Sequence, residues 1–330
     1  MNRSIRGARR MLRQWSSGTT SKEQCRSVSS SHGILPITSR AQAASPSTCP
    51  LARMQHVRPF SSSTYLCKPP IDDPPFTTVS PEEVSHFNAL ASSWWDPQGP
   101  SRILHLMNPL RHDFIHNSRS SVPDPPSDSY PVTGLRYLDI GCGGGIFAES
   151  AARRDTTSSV TAIDPSPEVL NVAKAHARRD PDVVKKLQYI NTSIEALPVP
   201  EDPHKDGYDV VSIFEVVEHV SNPAAFLDRV TPFVRPGGWL VLSTIARTWT
   251  SWLTTNVMAE DILRIVPRGT HDWNKYLNED ELRAHFLQSR SGWSEPRCMG
   301  VIYIPGVGWK EVPGSEKIGN YFFAVRRTPQ

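Results

Sequence analysis

From residue 135 onward, short apolar runs alternate with longer segments whose apolar residues repeat every three or four positions. The short runs predict buried strands, and the longer segments predict amphipathic helices. Strands that alternate with helices form a mostly parallel sheet with right-handed crossovers and helices on both faces. The predicted strands are Leu135–Ile140, Val160–Ile163, Leu187–Ile190, Tyr208–Phe214 and Trp239–Ile245, with two late strands near Arg297–Ile304 and Tyr321–Arg326.

Helix signals fill the intervals between these strands. Upstream of the first strand, Ser80 fits an N-cap, Pro81 the first turn and Glu83 the third position, so a helix is predicted to begin there. The proline-rich stretch Pro69–Pro75 precedes it and marks the edge of a single domain over residues 72–330. The other predicted helices are Ile146–Arg154, Pro167–Arg179, Pro223–Val234, Thr248–Val266 and Asn278–Phe286.

The turn after the first strand combines an acid with closely spaced glycines. Residues 139–145 are Asp-Ile-Gly-Cys-Gly-Gly-Gly, and Asp164 ends the second strand nineteen residues after Gly145. A dinucleotide-binding turn has the form G-x-G-x-x-G, whereas here the third glycine comes one residue early. The spacing favours a nucleoside cofactor without a pyrophosphate, S-adenosylmethionine. Gly141 and its neighbours would let the backbone approach the methionine part, and Asp164 would accept the ribose hydroxyls. A turn that only links strand to helix is the alternative.

A second constellation follows the strand Tyr208–Phe214. If a helical turn begins at Glu215, then Glu215, Glu218 and His219 fall at positions i, i+3 and i+4 and share one face. This turn lies at the carboxyl edge of the predicted sheet, where ligands of open α/β sheets bind. Two carboxylates and an imidazole can hold a divalent cation, Mg²⁺ first and Zn²⁺ or Mn²⁺ as alternatives. A metal-free site with His219 as general base and a structural turn are the other interpretations.

Charge is distributed unevenly along the chain. Residues 1–71 contain eleven Lys or Arg and one acid, whereas residues 72–330 contain 25 basic and 32 acidic residues. An Arg- and Ser-rich leader that is poor in acids is typical of a mitochondrial transit peptide, which we expect over residues 1–68. The mildly acidic remainder indicates no nucleic-acid partner. Only Cys142 and Cys298 lie in the domain, which gives neither a disulfide framework nor zinc spacing.

Several motifs together resemble one family, the ubiquinone-biosynthesis O-methyltransferases. The motifs are Trp94-Trp95-Asp96-Pro97, the Leu-Met-Asn-Pro-Leu-Arg of residues 106–111, the glycine turn, Glu215–Val220, the Arg-Pro-Gly-Gly of residues 235–238, and residues 262–272, which end in Pro-Arg-Gly-Thr-His-Asp. The glycine turn and the Glu-His turn are widespread among class I methyltransferases that use S-adenosylmethionine. The other motifs are more specific, and together the segments cover nearly all of residues 80–326.

The resemblance implies a Rossmann-like, seven-stranded class I sheet with helices on both faces. It implies methyl transfer from S-adenosylmethionine to a phenolic oxygen of polyprenylated catechols, namely a dihydroxy-polyprenylbenzoate and a demethylubiquinol. Carried over position by position, it implies cofactor contacts at Arg111, Gly141, Asp164 and Phe214, and catalytic metal ligands at Glu215, Glu218 and His219. The Arg111 guanidinium can pair with the methionine carboxylate. Phe214 departs from the aliphatic or sulfur side chain expected there, and it could stack beside the adenine.

The leader and the resemblance together imply an enzyme on the matrix side of the mitochondrial inner membrane, held peripherally and within a multi-subunit ubiquinone-biosynthesis complex. The helix Thr248–Val266 carries Trp249 and Trp252 on a broad apolar stripe. Such a helix can lie in the bilayer interface, or it can be a lid packed on the sheet. Two other functions are open at this point: O-methylation of another small phenol, and a non-catalytic cofactor-binding subunit.

Overall fold

The structure is a computed structural model that describes residues 76–122, 134–247, 276–288 and 292–329. The expected leader at 1–68, the domain start at residue 72 and the predicted helix Thr248–Val266 lie outside the described residues, so all three stay predictions. Within the described ranges, no helix combines the length and the apolar character needed to cross a lipid bilayer.

Among the described residues, eight strands form one sheet in the spatial order β3-β2-β1-β4-β5-β8-β6-β7. They are β1 Leu135–Ile140, β2 Thr157–Asp164, β3 Leu187–Asn191, β4 Tyr208–Phe214, β5 Val234–Ile245, β6 Arg297–Ile304, β7 Gly308–Glu311 and β8 Asn320–Arg326. Strands β1 to β5 are parallel, while β8, β6 and β7 join the sheet antiparallel. The predicted α/β sheet of the Rossmann type is confirmed. It has one strand more than the seven expected, because the short β7 folds back on β6.

The described helices are α1 Pro81–Leu90, α2 Arg102–Ser120, α3 Ile146–Ala152, α4 Pro167–Ala177, α5 Pro181–Lys186, α6 Pro203–Asp206, α7 Pro223–Val230 and α8 Glu279–Leu287. The predicted N-cap of α1 is confirmed, and α8 also begins with capping side chains. The backbone N–H of Glu83 donates to Ser80 Oγ at 3.3 Å, and Asn278 and Glu281 form a reciprocal capping box. Helix α2 was not predicted, because Pro109 and several polar side chains interrupt its sequence.

The predicted end of the helix that begins at Pro223 and the predicted start of the following strand were both wrong, for one local reason. The helix predicted to reach Val234 ends at Val230, and β5 begins at Val234 rather than Trp239. In the pairing of β4 with β5, Tyr208 faces Val234 and Val210 faces Trp239. The Arg-Pro-Gly-Gly segment therefore bulges out of the strand instead of ending a helix.

Apolar cores cover both faces of the sheet. Neighbouring strand residues alternate between them, as Tyr137 and Leu138 do on β1. One core includes Phe147 of α3, and the other includes Phe226 of α7. Because both faces are covered, the free surface of the parallel strands is their carboxyl edge, and the loops there build the site.

Candidate active site

One cavity of about 600 Å³ lies along the carboxyl edge of the sheet. All seven site residues predicted from the sequence line it: Arg111, Gly141, Asp164, Phe214, Glu215, Glu218 and His219. The structure therefore brings together residues that α2, β1, β2 and β4 supply from distant parts of the chain.

The glycine turn combines left-handed backbone with close packing. Gly143 and Gly145 have φ angles of 53° and 87°, which are strained for residues with a side chain. A Cβ atom at Gly143 or at Gly144 would overlap the indole of Trp94. The indole Nε1 of Trp95 donates to the carbonyl oxygen of Gly144 at 2.8 Å. These glycines therefore make room for Trp94 and hold Trp95 by a hydrogen bond. They also leave the backbone open toward the cavity.

Asp164 lies at the end of β2 with both carboxylate oxygens held by backbone. Gly143 N donates to Oδ2 and Ser166 N donates to Oδ1, each at 2.9 Å. Burial raises the pKa of Asp164, and the two backbone hydrogen bonds oppose that rise. Each carboxylate oxygen has a further acceptor position. The geometry is compatible with the predicted contact to two ribose hydroxyls.

Arg111 is a buried cation on α2. Its guanidinium carbon lies 4.8 Å from the ring centroid of Phe214. Burial lowers the pKa of Arg111, while the nearby Glu215 and Asp139 oppose that shift. Its Nε atom is buried without a hydrogen-bond partner within the described part of the chain. A buried cation with an unused N–H suits an anionic ligand group, as a methionine carboxylate would be.

Asp139, near the end of β1, is a buried acid that also lines the cavity. Ser212 Oγ donates to its carboxylate at 2.7 Å. Burial raises the pKa of Asp139 to about 7, against the lowering effect of the Ser212 hydrogen bond and of Arg111. Folding therefore keeps an acid in a place where its charged form is disfavoured unless a ligand compensates it.

Glu215 has an unusual backbone conformation. Its φ of 58° is the one left-handed value at a non-glycine position among the described residues. Ser243 on β5 holds it twice: Glu215 N donates to the Ser243 carbonyl at 3.2 Å, and Ser243 Oγ donates to the carboxylate at 2.6 Å. A strained backbone conformation persists where several surrounding contacts hold it in place. In this conformation the Glu215 side chain lines the cavity.

Glu218 is buried beside the same strand. Thr244 Oγ1 donates to Glu218 Oε2 at 2.8 Å. Burial raises the pKa of Glu218 to about 7, and the negative charge of Glu215 adds to that rise. The two carboxylates therefore repel each other across the cavity and would gain from a shared cation or proton.

His219 is oriented by a residue from a distant helix. Its Nδ1 lies 3.0 Å from Glu83 Oε2. The rings of Phe87 and His219 pack edge to face, with their centroids 5.0 Å apart. Burial alone would lower the pKa of His219, but the Glu83 hydrogen bond and the nearby carboxylates raise it above its ordinary value. Glu83 thus occupies its predicted position in α1, while its carboxylate is hydrogen-bonded to His219.

The helical turn predicted to begin at Glu215 is shorter than expected. A single 3-10 turn covers Val217–His219, and Glu215 lies before it in left-handed backbone. The three side chains consequently do not share one helical face, although all line the same cavity. In the described ranges, no three His, Cys, Asp or Glu side chains form a group ready to hold a metal ion. Metal binding by Glu215, Glu218 and His219 stays a prediction.

The segment before α2 covers the cofactor end of the cavity. Thr78 N donates to Glu195 Oε1 at 3.0 Å, and Ser166 Oγ donates to Asn88 Oδ1. Sequence reasoning missed these contacts, as well as the support from Ser243 and Thr244. The available signal for the latter was two hydroxyl side chains at the carboxyl end of an otherwise apolar strand.

Comparison with known proteins adds to this geometry. The methyltransferase domain family matches residues 125–291. The chain is 42% identical over 287 residues to "Ubiquinone biosynthesis O-methyltransferase, mitochondrial" of Candida albicans, covering 76% of this chain and 86% of that protein. It is 43% identical over 255 residues to the Schizosaccharomyces pombe protein of the same name, covering 76% and 87%. A Bradyrhizobium "Ubiquinone biosynthesis O-methyltransferase" is 38% identical over 232 residues, covering 70% and 87%.

A solved structure has the same fold. The plantazolicin methyltransferase BpumL, in complex with a monoazolic desmethylPZN analog and SAH, superposes with a TM-score of 0.50 at 19% sequence identity. The match covers 75% of this chain and 97% of that one. At this level of identity the likeness supports the class I methyltransferase fold.

Proposed function

This chain belongs to the ubiquinone biosynthesis O-methyltransferases, and from that membership we propose that it methylates a phenolic oxygen of polyprenylated catechols in ubiquinone biosynthesis. It is an S-adenosylmethionine-dependent O-methyltransferase. The proposed acceptors are a dihydroxy-polyprenylbenzoate and a demethylubiquinol. The observation that carries the proposal is one cavity with cofactor-type residues at β1 and β2 and an acid-imidazole group at the end of β4.

At the cofactor end, each residue has a separate role. Asp164 accepts hydrogen bonds from the ribose hydroxyls, because backbone N–H groups already fix its carboxylate. Arg111 pairs with the methionine carboxylate through its buried guanidinium. Phe214 holds that guanidinium from one face, and Gly141 keeps the turn free of a side chain. Held by these residues, S-adenosylmethionine would supply a sulfonium methyl group for transfer within the same cavity as the end of β4.

At the acceptor end, when no cation is bound, His219 receives the proton of the attacking hydroxyl. Its Nδ1 faces Glu83, so Nε2 is the nitrogen available for that proton. The ionised oxygen then forms a bond to the methyl carbon, the carbon–sulfur bond breaks, and the electron pair stays on a neutral sulfur. Glu215 and Glu218 accept hydrogen bonds from the catechol hydroxyls and orient them. Holding both reactants in line supplies much of the rate, with effective molarities on the order of 10⁵ M or more.

The donor chemistry of Glu215, Glu218 and His219 fits a divalent cation, Mg²⁺ in first place and Zn²⁺ or Mn²⁺ as alternatives. Two mutually repelling carboxylates share the cavity, and a histidine whose other nitrogen bonds a carboxylate is the usual form of a metal ligand. A bound cation would lower the pKa of a coordinated hydroxyl. To hold it, Glu215 and Glu218 would turn from Ser243 and Thr244.

Methyl transfer to a short-tailed prenyl catechol tests the function. The purified protein should convert the catechol to its mono-O-methyl ether in the presence of S-adenosylmethionine. Chelation should abolish the reaction and Mg²⁺ should restore it if a cation participates, whereas full activity after chelation would remove the cation and leave His219 as base. Absence of turnover with any prenylated catechol would contradict the proposed function.

We further propose that the enzyme works in mitochondria, peripherally on the matrix side of the inner membrane and within a ubiquinone-biosynthesis complex. Two observations support the mitochondrial part: the basic leader at 1–68 and the fungal relatives whose names include "mitochondrial". Import into isolated mitochondria, followed by carbonate extraction, tests both location and peripheral attachment. A protein that stays outside, or that resists extraction, would contradict this proposal.

A further inference from the structure

The topology places a second set of strand ends beside the acids. Strand β8 runs antiparallel to β5, so its first residues lie at the carboxyl edge of the parallel strands. Strand β6 runs antiparallel to β8, so its last residues reach the same edge. The β6–β7 hairpin, residues 297–311, therefore borders the cavity on the side away from Asp164.

The hairpin wall is apolar and firmly attached. Val301, Ile302, Tyr303 and Trp309 all line the cavity. The rings of Tyr303 and Trp309 lie 5.4 Å apart, and Trp309 Nε1 donates to the Ile103 carbonyl at 2.9 Å. That hydrogen bond ties the hairpin to the first turn of α2, whose Ile103 also lines the cavity.

Apolar side chains continue from this wall to the protein surface. Ile302 and Ile318 both line the cavity and are 36% and 47% exposed. Ile304 and Val307, at the hairpin tip, are 41% and 61% exposed. Exposed aliphatic groups at the mouth of a cavity are typical of a site for an apolar ligand chain.

We propose that the β6–β7 hairpin binds the isoprenoid tail of the acceptor, with Ile302 and Ile318 as the residues that select for it. The inference rests on the proposed function, because it assumes a prenylated acceptor. The catechol ring lies at the acids, and the tail runs along the hairpin over Ile302 and Ile318. Burial of tail carbons against these side chains makes longer acceptors better substrates.

A tail-length series tests this assignment. Detergent-free assays would compare kcat/KM for a prenylated catechol with one, two or three isoprene units against the same catechol without a tail. The ratio of tailed to tail-less kcat/KM should fall on the order of tenfold in the double variant Ile302→Ser with Ile318→Ser. Val184→Ser, at a similarly exposed site on α5, should keep the wild-type ratio. Thermal melting checks that each variant is folded.

The outcomes separate two failures. If the wild-type protein methylates the prenylated catechols and the double variant keeps the wild-type ratio, the hairpin does not bind the tail and the proposed function stands. If the wild-type protein methylates no prenylated catechol, the proposed function fails and this inference fails with it. A tail-length preference that disappears in the double variant alone supports the assignment.

Discussion

The two ends of the cavity are built differently. At the cofactor end, one continuous stretch of about 30 residues, from Asp139 to Ser166, supplies the glycine turn and Asp164, and backbone N–H groups fix the carboxylate. Arg111 of α2 and Phe214 of β4 add side chains from two other elements. At the acceptor end, the working side chains come from α1, the end of β4, the end of β5 and the β6–β7 hairpin. There, side-chain hydroxyls and a carboxylate from separate elements hold each functional group.

This difference indicates how each end can change. A site held by backbone groups tolerates few substitutions, because a change in the glycine turn alters the backbone conformation that positions Asp164. A side-chain-built site can be altered one residue at a time while the cofactor site stays intact. A substitution at one end should therefore impair the function of that end and leave the other end intact.

His219→Asn should reduce kcat by about 10²–10⁴-fold, the usual contribution of a positioned acid-base group. The dissociation constant of S-adenosylmethionine should stay within about threefold of the wild-type value, because His219 lies at the acceptor end. Isothermal titration and a product assay measure the two quantities. His204→Asn, at an exposed position on α6, is the control. A tenfold weaker cofactor affinity in His219→Asn would contradict the separation of the two ends.

Asp164→Ala should have the opposite signature. Loss of the carboxylate removes charge-assisted hydrogen bonds to the ribose, so the dissociation constant of S-adenosylmethionine should rise by about 10- to 100-fold. The kcat at saturating cofactor should change far less. Asp155→Ala, at an exposed position in the loop between α3 and β2, should bind normally. If Asp164→Ala binds the cofactor with wild-type affinity, the assignment of the ribose contact is wrong.

Asp139→Asn should stabilise the cofactor-free protein in a pH-dependent way. A carboxyl whose pKa rises from 3.8 to about 7 on folding destabilises the fold once pH exceeds the unfolded pKa, and the full penalty is present above pH 7. The penalty has an upper bound of about 4 kcal/mol, and the substitution gains less than this because it also removes the attraction between Asp139 and Arg111. In urea unfolding, the free energy of unfolding of Asp139→Asn should exceed the wild-type value by close to zero near pH 4 and by about 2 kcal/mol at pH 8. A gain that shrinks with rising pH would contradict the burial argument.

Glu83→Ala should lower kcat by about tenfold, because outer groups that orient a histidine commonly contribute 10- to 100-fold. Glu83→Gln keeps a hydrogen-bond acceptor and should retain more activity than Glu83→Ala. Glu82→Gln, the neighbouring acid on the exposed side of α1, is the matched control. Wild-type kcat in Glu83→Ala would show that His219 holds its orientation without α1.

The same contrast explains what the sequence could predict. The strands β1 to β5, the glycine turn and Asp164 follow from local pattern, because their residues are close in sequence and their backbone determines their role. The presence of Glu215, Glu218 and His219 in the site was also predictable, since they follow a strand that had been identified. Their supports were not, because Ser243, Thr244 and Glu83 become neighbours only when the sheet and α1 assemble. The left-handed backbone of Glu215 has no local sequence signal, so the regular helical turn expected there was wrong.

The proposed mechanism requires one cavity that holds the methyl donor at β1 and β2 and a catechol at the end of β4. Transfer from methyl-labelled S-adenosylmethionine to a short-tailed prenyl catechol, analysed by mass spectrometry in wild type and Glu218→Gln, tests this requirement. The wild-type protein should place the labelled methyl on a phenolic oxygen. Glu218→Gln should form less product by about 100-fold, with unchanged affinity for S-adenosylmethionine. Label on a ring carbon, or wild-type product formation by Glu218→Gln, would contradict the proposed mechanism.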